Sequence, residues 1–164
     1  MDLFIEYDPP DKLTLSNNKI NETSLEQLKY LKHIKYLNLS HNDLEHIDDD
    51  FFNKFPKVIE LDLSFNKLSN FDIQILEKAS ALRKLDLSHN EIKNINGSLS
   101  PENLLEDLDF SYNSLNNIPE EFFQSFANLR SLNLSHNSFE SFDNNISAEN
   151  NLILLNLEHN SLKS

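Results

Sequence analysis

The stretch LNLSHNDL, residues 37–44, decides the fold, because the chain repeats it in seven versions. The others are LTLSNNKI at 13–20, LDLSFNKL at 61–68, LDLSHNEI at 85–92, LDFSYNSL at 108–115, LNLSHNSF at 132–139 and LNLEHNSL at 155–162. One asparagine marks each copy: Asn18, Asn42, Asn66, Asn90, Asn113, Asn137 and Asn160, in steps of 24, 24, 24, 23, 24 and 23 residues. A fixed period of this length predicts a stacked solenoid, in which each unit buries its apolar face only against its neighbours.

The first half of each unit alternates. Leu37 and Leu39 are expected to point inward while Tyr36, Asn38 and Ser40 point outward, which is the period of a strand with one buried face. The matching inward pairs are Leu13/Leu15, Leu61/Leu63, Leu85/Leu87, Leu108/Phe110, Leu132/Leu134 and Leu155/Leu157. The asparagine follows the strand, where the chain turns into the core and backbone groups lose their partners. Its amide can both donate to and accept from such groups, so stacked copies are expected to form a structural ladder.

The second half supplies the opposite wall of the core. Phe52, Phe55 and Val58 close one unit, Leu76, Ala79 and Leu82 another, and Phe123, Phe126 and Leu129 a third. Ahead of them stand Ile47, Phe71, Ile95, Ile118 and Phe142. The first unit is the most helical: Leu25, Leu28, Leu31 and Ile34 share a face, with Thr23 or Ser24 as the expected N-cap. The fourth carries the chain's single glycine, Gly97, and Pro101, so a loop is expected there instead of a helix.

These LxLSHNxL units with trailing IxxxxFxxL resemble the leucine-rich repeats of the typical 24-residue class, as found in animal extracellular proteins and Toll-like receptor ectodomains. The resemblance runs from about Leu13 to Leu162. It implies an α/β solenoid: a right-handed horseshoe with about seven parallel strands on the concave face and short helices, 3-10 turns and loops on the convex face. It also implies protein binding, with an innate-immune or adhesion type of recognition. Residues 1–164 read as one repeat domain, with residues 1–12 as an N-terminal cap segment in which LFIEYDPP forms a capping strand. The C-terminal cap of the family is missing, as are its flanking cysteines.

Composition narrows the function classes. The net charge of −13 opposes a nucleic-acid groove, which needs positive potential, and opposes adhesion to anionic membranes. No apolar run is long enough to span a bilayer. With no cysteine there is no disulfide framework and no thiolate metal site. One glycine leaves no glycine-rich phosphate loop, and the nucleophile-elbow and zinc-protease motifs are absent, so no catalytic residue is expected. No cofactor or metal is expected either; His136 and His159 with Glu158 nearby fall short of a zinc ligand set.

The outward positions form columns across the units. One runs Lys12, Tyr36, Glu60, Lys84, Asp107, Ser131, Leu154; the next Thr14, Asn38, Asp62, Asp86, Asp109, Asn133, Asn156. Like charges on neighbouring strands repel, and Lys84 is expected to relieve the three aspartates. A third column, Lys35, Ile59, Arg83, Glu106, Arg130, Ile153, alternates in sign. The column before the asparagine runs Asn17, His41, Phe65, His89, Tyr112, His136, His159. The expected partner-binding residues on the concave face are Tyr36, Glu60, Asp62, Phe65, Lys84, Asp86, His89, Asp107, Asp109, Tyr112 and His136. Rings supply buried area and carboxylates accept a partner's arginine or lysine, so the partner read from them is another protein with a basic patch.

Two alternatives stand beside this reading. One is a cytosolic adaptor or scaffold, which the missing cysteines favour, whereas the repeat class tips the balance slightly toward the extracellular side. The other is a unit that homodimerises through a bare terminal strand around Leu155 and Leu157, with Ile153 and Leu154 beside it. Sequons occur at Asn21, Asn38, Asn96, Asn133 and Asn145; sugars on Asn38 or Asn133 would obstruct the concave sheet.

Overall fold

Alternating leucines at a constant period produce short strands in constant register. The computed structural model describes residues 10–100, 102–143, 146 and 150–163. Among them the strands are β1 Lys12–Thr14, β2 Tyr36–Asn38, β3 Glu60–Asp62, β4 Asn70–Asp72, β5 Lys84–Asp86, β6 Asn94–Asn96, β7 Asp107–Asp109, β8 Ser131–Asn133 and β9 Leu154–Asn156. The one-turn helices are α1 Glu22–Leu25, α2 Phe51–Lys54 and α3 Phe122–Ser125, with 3-10 turns at Glu26–Leu28 and Ile73–Lys78. No helix among the described residues is long and apolar enough to cross a membrane. The expected capping strand LFIEYDPP, apart from Pro10, lies outside the described residues, as do Pro101 and the sequon asparagine Asn145.

Seven strands form one parallel sheet in the order β1-β2-β3-β5-β7-β8-β9. The register is uniform: Leu13, Leu37, Leu61, Leu85, Leu108, Leu132 and Leu155 are successive partners. The steps of 23 residues leave it intact, because the missing residue is absorbed outside the sheet. Leu37, Leu39, Leu61, Leu63, Leu85, Leu87, Leu108, Phe110, Leu132 and Leu134 are buried, while the pairs at either end, Leu13/Leu15 and Leu155/Leu157, are partly buried. Beyond β9's own core pair, Ile153 is 81% exposed and Leu154 55%.

The second halves build the far wall of the core. Phe52, Phe55 and Val58, then Leu76, Ala79 and Leu82, then Phe123, Phe126 and Leu129 are all buried. Phe51 and Phe122 join them, packing against Phe55 and Phe126 with ring centroids 5.1 and 4.7 Å apart. Where Phe71 and Ile95 stand ahead of this wall, a second, two-stranded parallel sheet forms from β4 and β6. Residues around Gly97 carry no helix, as expected.

Two local expectations are corrected. The cap of α1 is Asn21 rather than Thr23 or Ser24: its Oδ1 accepts from the Ser24 N–H at 3.1 Å, and the Ser24 side chain reciprocates toward the Asn21 N–H. An asparagine at the boundary can make this capping box one residue earlier than either hydroxyl. Ser40, expected to face outward, is buried, its hydroxyl donating to Asn38 Oδ1 at 2.8 Å. Ser64, Ser88, Ser111 and Ser135 are buried in the same way. The chain has begun its turn at this position, so the strict alternation of a strand has already ended there.

Candidate partner-binding surface

The turn after each strand sets the geometry of the exposed face. Asn17, His41, Phe65, His89, Tyr112, His136 and His159 all take left-handed backbone conformations, with φ between 52° and 59°. This bend lets the next residue, the repeated asparagine, reach under the sheet. Asn66 Nδ2 donates to the carbonyls of Leu63 at 3.0 Å, Ser64 at 3.2 Å and Leu39 of the preceding unit at 3.1 Å. Its Oδ1 accepts from Leu44 N at 3.1 Å. Asn42, Asn90, Asn113, Asn137 and Asn160 repeat the pattern, and among the described residues Asn18, in the first unit, makes the two bonds within its own unit. These bonds run both within a unit and to its neighbour, beside the strand pairing and the shared core that also join the units.

The left-handed position costs a residue with a Cβ about 1–2 kcal/mol, and asparagine, aspartate and histidine are the side chains most often found there. Only the first unit uses asparagine there. The other six place rings, and the rings stack face to face: His41 on Phe65 at 4.1 Å, Phe65 on His89 at 4.0 Å, His89 on Tyr112 at 4.0 Å, Tyr112 on His136 at 3.9 Å and His136 on His159 at 4.2 Å. These steps are shorter than the strand spacing of about 4.8 Å, as expected where the sheet curves inward. Phe65 and Tyr112 remain 42% and 45% exposed.

Beside the stack runs the carboxylate row. Asp62, Asp86 and Asp109 are register partners, each half-buried. Each turns Oδ1 toward the backbone N–H two residues on, at 3.0 Å for Ser64, 2.9 Å for Ser88 and 2.7 Å for Ser111. The ends of the row are hydrogen-bonded by amides: Asn38 Nδ2 donates to Asp62 Oδ2 at 2.8 Å, and Asn133 Nδ2 donates to Asp109 Oδ2 at 2.9 Å. Asp86, in the middle, has a carboxylate on either side. Burial pushes its pKa up; hydrogen bonds from Ser88 oppose this, and the charges of Asp109 and Asp62 add to the rise. Lys84, expected to relieve the row, borders the same depression as Asp62 and Asp86, and among the described residues it makes no ion pair within 4.0 Å.

The structure brings the expected residues onto one face. Tyr36, Glu60, Lys84 and Asp107 are register partners in the first column, with Glu60, Lys84 and Asp107 exposed. Tyr36, Asn38, Glu60, Asp62, Lys84 and Asp86 line a shallow depression of about 230 Å³ that Lys12 also borders. His89 and His136 sit within the ring stack rather than beside it. The expectation left out Lys12, Asn38, Asn133, His41 and His159. Their columns were already in the repeat frame, so column membership was the signal that could have found them. The alternating third column forms a charge ladder, with Glu106 3.6 Å from both Arg83 and Arg130. Among the described residues no group of histidines and carboxylates could hold a metal ion.

Comparison with known proteins agrees with this geometry. No curated protein matches the sequence significantly. A crystal structure of the APL1 leucine-rich repeat domain is 31% identical and superposes with a TM-score of 0.64, covering 78% of this chain and 32% of that one. A structure of the Toll–Spatzle complex, described as a molecular hub in Drosophila development and innate immunity, is 22% identical with a TM-score of 0.63. It covers 74% of this chain and 16% of its counterpart, and at that identity the likeness speaks for the fold alone. The chain thus spans about a third and a sixth of the two solved proteins. The leucine rich repeat model matches residues 11–68, 33–92, 56–115 and 103–162, and on this continuous coverage the chain belongs to the leucine-rich repeat family.

Proposed function

We propose that this chain is a non-catalytic recognition module whose concave sheet holds another protein, in the manner of innate-immune receptors. The residues that carry the contact are Tyr36, Glu60, Asp62, Phe65, Lys84, Asp86, His89, Asp107, Asp109, Tyr112 and His136. One observation supports this above the rest. The repeat has a neutral solution at the aspartate position, since Asn38 and Asn133 bond their neighbours there, yet three consecutive units carry aspartate instead. A row that lowers stability on an open face is suited to a partner that brings positive charge. Among the described residues nothing encloses the face, which is unlike the enclosed pockets of enzyme sites. The leucine rich repeat match along residues 11–162 and the 31% identity to the APL1 leucine-rich repeat domain support the protein-binding class of this reading.

The test is capture from native extract with wild-type protein and an Asp62→Asn/Asp86→Asn/Asp109→Asn variant side by side, followed by cross-linking of the captured partner. Enrichment on the wild type alone, with cross-links to Lys12 and Lys84, is the expected result. Equal capture by both proteins, or cross-links gathered on Lys78 of the convex side, would remove the concave face from consideration.

A further inference from the structure

The chain's single glycine follows an asparagine. Asn96 ends β6, and Asn96, Gly97 and Ser98 are all exposed. Asparagine is a thermolabile side chain, because the backbone nitrogen of the next residue can attack its Cγ and close a five-membered ring. A side chain on that next residue hinders the approach, and glycine has none. Among the described residues, the Asn96 amide makes no hydrogen bond and the Gly97 N–H donates to no acceptor.

The repeat holds its ladder asparagines at both atoms that this reaction needs. Asn113, Asn137 and Asn160 precede serine, and Asn42 precedes aspartate. Their amides are fixed: Asn113 Nδ2 donates to the carbonyls of Leu87, Phe110 and Ser111, and its Oδ1 accepts from Ile92 N. The following nitrogen is tied as well. Ser114 N donates to Ile92 O at 2.9 Å, Ser138 N to Leu115 O at 2.7 Å, Ser161 N to Phe139 O at 2.9 Å and Asp43 N to Ile20 O at 2.9 Å. Asn96 thus differs from them in its bonding as well as in its neighbour.

We propose that Asn96 is a self-modification site, at which the chain converts its own amide to a carboxylate and so loosens the pairing of β4 with β6. The Gly97 nitrogen bonds to Asn96 Cγ, the Cγ–Nδ2 bond breaks, and ammonia leaves with the Gly97 amide proton. Water then opens the succinimide. Attack at Cγ gives aspartate, and attack at the main-chain carbonyl gives isoaspartate, whose backbone runs through the side-chain methylene. Either product disturbs the same place. Asp72 is the register partner of Asn96, its carboxylate caps Gln74 N at 2.9 Å, and it lies where a Cβ on Gly97 would fall. Aspartate sets a second negative charge opposite it, and isoaspartate lengthens the backbone just before Gly97. The seven-stranded sheet is separate and keeps its own pairing.

The test is incubation of the full chain at pH 6 and pH 8, folded and in guanidinium chloride, followed by peptide mapping that resolves asparagine, aspartate and isoaspartate. A bacterial host leaves the Asn96 sequon free of sugar, which would block Nδ2. In the folded chain Asn96 is expected to convert at least about tenfold faster than Asn113, Asn137 or Asn160, because those react only from locally opened states. The rate is higher at pH 8, where more of the nitrogen is deprotonated. Unfolding narrows the gap by releasing the ladder. Asn96→Gln, exposed and closing only a less favourable six-membered ring, keeps the fold and shows no conversion. After equal incubation the wild type should melt below this variant. An Asn96 amide that survives in the folded chain while the unfolded chain converts it, or a ladder asparagine that converts first, overturns the site. Equal melting temperatures after full conversion overturn the loosening of β4 and β6.

Discussion

Replacing Asp86 by asparagine should make this protein more stable and a poorer binder. Two like charges one strand spacing apart, about 4.8 Å, repel by about 0.9 kcal/mol in water, and physiological salt roughly halves that. Asp86 has such a neighbour on both sides, Asp62 and Asp109, which amounts to about 1 kcal/mol. The amide also has a ready-made contact to form. Asn38 donates to Asp62 and Asn133 to Asp109 at 2.8 and 2.9 Å, and an amide at position 86 stands in the same register to both carboxylates. A hydrogen bond of that kind contributes about another 0.5–1.5 kcal/mol, while the bond from Ser88 N is kept. The net gain is about 1.5–2.5 kcal/mol at neutral pH, or a rise in melting temperature of about 3–10 °C for a chain of this size. Acidification should erase it. Because burial and the flanking charges raise the Asp86 pKa, the native state takes up this proton at a higher pH than the unfolded chain does. The ionised carboxylate thus lowers stability above that pKa, and the deficit disappears as pH falls through it. Calorimetry of both proteins from pH 7 to pH 4 reads the effect. A variant that melts at or below the wild type at pH 7, or whose advantage grows on acidification, would refute the reasoning.

Two further substitutions test the scaffold. Asn90→Ala strands three backbone carbonyls and the Leu68 N–H, so the urea midpoint should fall by the equivalent of about 3–5 kcal/mol; an unchanged midpoint would show that the ladder is not structural. Gly97 has φ of +83°, and a Cβ there would fall on the Asp72 carboxylate that caps Gln74 N, so Gly97→Ala should cost about 2–3 kcal/mol. Retained thermal stability in that variant would mean that the turn between β6 and the following loop rearranges freely.

The strands and the core were legible because period-two alternation and a period of 23–24 residues each have one structural solution. Leu37, Leu61 and Leu85 had to be inward, and in register, for any solenoid to close. The convex side was less legible. The second sheet of β4 and β6 depends on Phe71 and Ile95 arriving side by side, a property of neighbouring units rather than of either segment. The Asn21 cap was missed for a similar reason: Asn21, Thr23 and Ser24 are all competent caps, and only the path of the chain into α1 selects one.

The candidate site divides along the same line. The repeat frame by itself determined which residues share a column, since register follows from equal spacing. Only the folded backbone decided what those columns do. The left-handed turn at His41, Phe65, His89, Tyr112, His136 and His159 lays separate rings into one stack, and it carries the next residue of each unit beneath the sheet. The flanking amides bond the ends of the aspartate row and leave Asp86 between two charges. A sequence specifies neighbours along the chain, whereas strain, stacking and repulsion act between neighbours in space, and those exist only once the coils have closed on one another.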